Sequence, residues 1–169
     1  MTVAEIRPAD PDDAEAIQQL GRAAWHAAYD DVFGPDRVDR VVSQWWGVES
    51  LRGAAVADER TFLVAETDRL VGVAEAGPDT SHDGAYHLGR LYVHPEHWGE
   101  GVGTRLLDEL RGRIPDATGR LRLVVLAENP VGVSFYESYG FDRVDSRAGE
   151  TDGVAHEEYV YELSLGPQD

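Results

Sequence analysis

The sequence predicts an α/β fold of the α+β kind: a mixed, mostly antiparallel central sheet of about seven strands flanked by about four helices. Three observations carry this. Three strand-like runs follow one another in mid-chain ("TFLVAET", "LVGVAEAG", "AYHLGRLYVH"), which a strictly alternating doubly wound sheet does not produce. Two more, "FDRVDSRA" and "AHEEYVYELSL", close the chain as a hairpin. The remaining apolar residues fall largely at helical spacing.

Each element has a local reason. "AEIRPA" reads as a short first strand. Asp10 is a natural N-cap, with Pro11 at the first helical position and Asp12 and Asp13 in the first turn, where acids favour the helix dipole. Ala14, Ile17, Leu20 and Ala24 then share one face, so a helix runs to about residue 28. "PDRVDRVVSQWW" gives a second helix opened by Pro35. The runs "TFLVAET" and "LVGVAEAG" flank the short turn "DR" and form a hairpin. "AYHLGRLYVH" is a longer strand that stops before Pro95. A helix to about Ile114 follows, with Leu106, Leu107, Leu110 and Ile114 as its stripe. "RLRLVVLA" is a strand, and "PVGVSFYESY" a short helix stopped by Gly140. No internal repeat or linker interrupts this order, so residues 1–169 are expected to be one domain.

Composition narrows the function. There is no Cys, hence no thiolate metal site and no cysteine nucleophile. Fifteen basic residues, all Arg, face 32 acidic ones, for a net charge of −17. Nucleic-acid binding, which needs clustered basic side chains, is disfavoured. No run approaches the ~18 apolar residues of a membrane span, and no export signal is legible at the N-terminus, so the expected location is the cytoplasm. Acid spread through apolar-patterned segments predicts a charged, folded surface suited to concentrated salt.

The chemistry concentrates in "HWGEGVGTRLLDEL", residues 97–110, where Gly99, Gly101 and Gly103 stand at the mouth of a helix. Such a turn exposes unpaired amides and a positive dipole end, and glycine lets a phosphate approach closely. A Walker loop would require a Lys, and a dinucleotide fingerprint would require Gly at position 104, where Thr stands.

The stretch instead resembles the acetyl-CoA motif of the GNAT superfamily of N-acetyltransferases, Arg/Gln-x-x-Gly-x-Gly/Ala. "IRPADPDDAEAIQQL" and "LAENPVGVSFYESYGF" resemble the family's opening strand and helix and its late strand, Asn turn and "FYe-x-x-GF" segment. The resemblance implies the GNAT fold, acetyl-CoA as donor, a primary amine as acceptor and a homodimer as a compatible assembly; no metal is expected, because no Cys and no H-x-x-x-H helix supports a site. Trp98 and Glu100 depart from the motif, each removing positive charge beside a pyrophosphate.

Carried over by position, the resemblance implies that Trp98, Gly99, Glu100, Gly101, Val102, Gly103, Thr104 and Arg105 surround the pyrophosphate. It implies further that Leu91, Tyr92 and Val93 hold the pantetheine arm through main-chain atoms, and that Asn129 touches it from a turn. Tyr136 corresponds to the tyrosine that protonates the leaving thiolate; its alternative is a ring plugging a helix edge. His87 stands where a base is common, with Glu66 and Glu75 as alternatives and a structural strand histidine as the plain reading. Trp25 and Tyr29 fall in the region that covers the acceptor, or else they are core. His82, His87, His94 and His97 cluster in sequence without metal-ligand spacing. A second function stays open: a non-catalytic acyl-CoA-binding or sensing module on the same fold.

Overall fold

A computed structural model describes residues 3–115 and 118–165. Seven strands hydrogen-bond in the order β1-β2-β3-β4-β5-β7-β6, with β1 Glu5–Pro8, β2 Thr61–Glu66, β3 Leu70–Pro78, β4 Ala85–Val93, β5 Arg120–Leu126, β6 Asp142–Thr151 and β7 Val154–Ser164. The β1–β2, β2–β3, β5–β7 and β6–β7 pairs are antiparallel; β4 and β5 run parallel. Among the described residues five α-helices accompany them: α1 Ala14–Phe33, α2 Pro35–Trp45, α3 Val48–Val56, α4 Val102–Arg113 and α5 Pro130–Tyr139. The mixed, mostly antiparallel sheet predicted from the sequence is therefore present, with one helix more than expected.

The chain clusters into two compact units, residues 1–76 with 89–114, and residues 77–88 with 115–169. The first unit holds β1, β2, most of β3, the C-terminal half of β4 and α1–α4. Asp10 caps as expected: its side chain accepts from Asp12 N, and Asp13 returns a bond to the Asp10 amide. One 3-10 turn, Pro11–Asp13, leads into α1, which continues to Phe33 rather than about residue 28 and stops at Gly34, whose φ is +86°. Gly21 is needed on α1 because a Cβ there would lie 2.4 Å from the Trp46 ring. β2 and β3 are buried almost end to end. That is the pattern of strands covered on both faces, which their near-continuous apolar sequences encode. On one face α4 approaches so closely that a Cβ on Gly72 would meet Leu106 at 2.8 Å.

The unpredicted helix, α3, buries only Leu51, so "VESLRGAAV" carries almost no periodic apolar signal. The short link at Gly47 and good helix formers suffice locally.

In the second unit, β5 alternates strictly, burying Leu121, Leu123 and Val125. β6 and β7 form the predicted hairpin, longer at its tip than the sequence reading. Asp152 and Gly153 both take positive φ, 48° and 81°, so the two-residue turn keeps Thr151 and Val154 paired. This is the primed turn that Asp-Gly favours, and it carries both strands to its edge.

Candidate active site

The first unit contributes the glycine turn. After β4, His94–His97 form a proline-led 3-10 turn, and Gly99 and Gly101 adopt φ of +81° and +84°. Gly101 is the N-cap of α4 with no side-chain cap, and no acidic side chain stands in the helix's first turn. The backbone amides from Gly99 to Thr104 find no backbone acceptor among the described residues; the first helical bond is Arg105 N to Gly101 O, 3.1 Å. A Cβ at Gly99 or Gly101 would meet nothing within 4 Å. The result is an open row of donors at a positive helix end, the arrangement that binds phosphate.

Both departures from the motif have structural explanations. Glu100 turns its carboxylate to His97, Nδ1 to Oε1 3.0 Å, so its charge is engaged at the side of the turn. Trp98 donates from Nε1 to Val93 O, 2.8 Å, and thereby ties the loop back to the end of β4 while its ring stays 39% exposed. Trp98 acts here as a strut. Thr104 and Arg105 are exposed on the first turn of α4, and Val102 is buried beneath it.

Leu91, Tyr92 and Val93 occupy the C-terminal end of β4, each half-buried. Tyr92 sets its ring edge-on to Trp46, centroids 5.1 Å apart. Burial pushes its hydroxyl pKa up, against the opposing influence of the Trp25 indole N–H and the Arg90 charge. Trp25 and Tyr29 are 3% and 2% exposed and form an aromatic ladder along α1, with Phe33 below and Trp45 edge-on to Trp25 at 5.7 Å. Both residues lie in the helix core; Trp45, at 50% exposure, is the member that reaches solvent.

Of the alternative carboxylate bases, Glu66 pairs with Arg7 at 3.2 Å. Glu75 is 1% exposed, with Oε2 accepting from Arg60 Nε at 2.6 Å and Oε1 from Arg90. Sequence reading missed this pair of arginines. Nothing in local spacing connects residues 15 positions apart on neighbouring segments.

The second unit places His87 exposed on the N-terminal half of β4, in register with Arg122 of β5. Asp79, partly buried, keeps its carboxyl below the ordinary range despite that burial, through the Ser81 amide and the nearby His82 and His87. Asn129 is the N-cap of α5: its Oδ1 accepts from Gly132 N at 3.0 Å. Gly132 is bare because a Cβ would fall 2.7 Å from Asn129 Nδ2. Tyr136 is 9% exposed, its ring set among Phe135, Phe141 and Tyr161 at centroid distances of 5.4, 5.5 and 6.2 Å. Among the described residues no group of acidic or histidine side chains is arranged to hold a metal.

The chain is similar to known proteins in sequence and in fold. A family model described as an acetyltransferase (GNAT) domain matches residues 29–163. A spermidine N(1)-acetyltransferase of Thermoplasma acidophilum is 29% identical over 156 residues, 88% of this chain and 91% of that protein. Among solved structures, the PaiA N-acetyltransferase of T. acidophilum in complex with coenzyme A superposes with a TM-score of 0.80 at 24% identity, covering 95% of this chain and 98% of that one. YncA of Salmonella typhimurium, a putative acetyltransferase with its cofactor acetyl-CoA, superposes at 0.68 with 25% identity, covering 98% and 96%.

Proposed function

The chain belongs to the GNAT acetyltransferase family and is an acyltransferase of that class, and we propose that it moves acetyl from acetyl-CoA to a primary amine by direct attack in a ternary complex. The observation that carries this reading is the turn itself: amides from Gly99 to Thr104 with no backbone acceptor among the described residues, opening α4. Acetyl-CoA supplies an activated thioester carbonyl. The residues of this chain do the rest. The turn amides hold the diphosphate, with Gly99 and Gly101 leaving room for its approach. Main-chain groups of Leu91 to Val93 orient the pantetheine arm, and a strand amide polarises the carbonyl oxygen.

His87, exposed on β4, takes the proton from the acceptor ammonium, directly or through water. The Glu75 oxygens are both engaged by arginine, which argues for His87 over that carboxylate. As the new C–N bond forms and the C–S bond breaks, Tyr136 gives its phenolic proton to the departing sulfur. Its surrounding aromatic rings fix its orientation. No acyl-enzyme is required, and no Cys is available to form one.

The acceptor is an amine; the spermidine acetyltransferase relative makes polyamines one class to assay. A thiol-reactive dye reads released coenzyme A without protein background, because the chain has no Cys. Amine-dependent release over a broad acceptor panel is the expected result. Tight acetyl-CoA binding with no release on any amine would instead identify a sensing module.

A further inference from the structure

β4 leaves a gap in its side-chain row at Gly89, bordered by an Arg60 terminal nitrogen and by the carboxylate and main-chain oxygens of Glu75. Glu75 lies buried between two guanidinium groups, those of Arg60 and Arg90. One carboxylate facing two arginines leaves this trio with a positive charge in excess, inside a chain whose net charge is −17.

The two arginines are used differently. Arg90 is fully engaged: one terminal nitrogen donates to Glu75, the other to Trp45 O at 2.6 Å, and its guanidinium carbon lies 4.9 Å from the centre of the Trp46 ring. Arg60 is held only through Nε, by Glu75 Oε2. Its terminal nitrogens meet no acceptor among the described residues. One of them lies 3.8 Å from the point a Cβ on Gly89 would occupy, the same distance as Glu75 Oε1, whose charge Arg90 also engages; the Arg60 side chain keeps 34% of its exposure. Anchoring at Nε fixes the plane of the group, and the glycine keeps the space beside its free edge open. A guanidinium offered in this way is a preorganised fork for a carboxylate.

We propose that the free edge of Arg60 binds the carboxylate of the acceptor, so that the amine acetylated belongs to an amino-acid-type molecule and not to a polyamine. The inference rests on the acetyltransferase reading and narrows its acceptor class. The excess positive charge of the Glu75–Arg60–Arg90 trio, offered through the terminal nitrogens of Arg60 beside Gly89, attracts the anionic end of a zwitterion and disfavours a purely cationic chain.

The test uses matched pairs: amino acids against their decarboxylated amines, with spermidine alongside, scored as a ratio of kcat/KM within each pair. A bidentate charge-assisted contact predicts a ratio of about tenfold or more in favour of the carboxylate-bearing member. The ratio is expected to collapse toward unity in Arg60→Met and to be intermediate in Arg60→Lys, which keeps charge but loses the fork. Because the ratio is internal to one protein, partial loss of folded enzyme leaves it readable. Saturation-transfer NMR with the amino acids alone, without acetyl-CoA, is the second measurement, and binding that weakens in Arg60→Met is expected. A wild-type preference for decarboxylated amines or spermidine overturns the proposal, as does a ratio unmoved by Arg60→Met. So does the absence of amino-acid binding in a protein that binds acetyl-CoA. Failure to bind acetyl-CoA while amino acids still bind through Arg60 would remove the acetyltransferase reading and leave the carboxylate site standing.

Discussion

Tyr136 and Gly101 carry the most exposed claims about single residues. Replacing Tyr136 by Phe keeps the ring that packs on Phe141 and Tyr161 and removes only the hydroxyl. The expected result is a native thermal melt and a fall in kcat of about a hundredfold, the low end for loss of a positioned acid; unchanged turnover would refute the assignment. Gly101 sits at φ +84° with open space around a would-be Cβ, so Gly101→Ala is strained through its backbone and not by collision. Urea denaturation should show a loss of roughly 1–2 kcal/mol, accompanied by weaker acetyl-CoA binding, since the turn's amides would be re-aimed. Gly99, Gly101 and Asn129 were legible in the sequence because each does a backbone job that few residue types can do, two positive-φ turns and a helix cap. The second arginine on Glu75 was not legible, because a buried ion pair between strand neighbours leaves no mark in local spacing. Trp98 and Glu100 were legible only as departures. Their compensations, a bond to Val93 O and a contact with His97, depend on how the loop folds back.

At the level of elements, α1 and α2 are joined by a charged clamp. His26 on α1 places Nδ1 2.6 Å from Asp30 and Nε2 2.8 Å from Asp39 of α2, and Asp39 also accepts from Arg22 at 2.8 Å. Burial disfavours the imidazolium, but the hydrogen bonds to Asp39 and Asp30 and their charges outweigh it, so the His26 pKa lies above its ordinary value. A pKa raised by folding means stability that is full below the unfolded value, about 6.5, and is lost as pH rises through the folded one. Thermal melts of wild type and His26→Gln should therefore differ most in mildly acid buffer and converge as pH climbs past that point. A difference constant across the range would contradict the clamp. Elements with a strong repeating pattern, such as α1, α4 and the buried β2–β3 pair, were readable in advance. α3 was not, because one buried leucine is too little periodicity to announce a helix. The β6–β7 tip was underestimated because its Asp-Gly turn extends pairing through polar residues that carry no strand signal.

For the molecule as a whole, a charge of −17 on 169 residues means self-repulsion that salt relieves. In molar KCl the Debye length is ~3 Å, so denaturation midpoints should rise from dilute buffer toward molar KCl; equal stability in both would count against adaptation of this surface to salt. The same repulsion bears on the donor, because coenzyme A is itself an anion. On the proposed reading, the turn at the start of α4 binds a diphosphate against the field of the surrounding protein, using amides and a helix end. Titration calorimetry of acetyl-CoA at several KCl concentrations tests that requirement most directly. The expected result is saturable heat at one site per chain, with affinity that holds or improves as salt rises and that falls in Gly101→Ala. No heat at any salt concentration, or binding indifferent to Gly101→Ala, would contradict it.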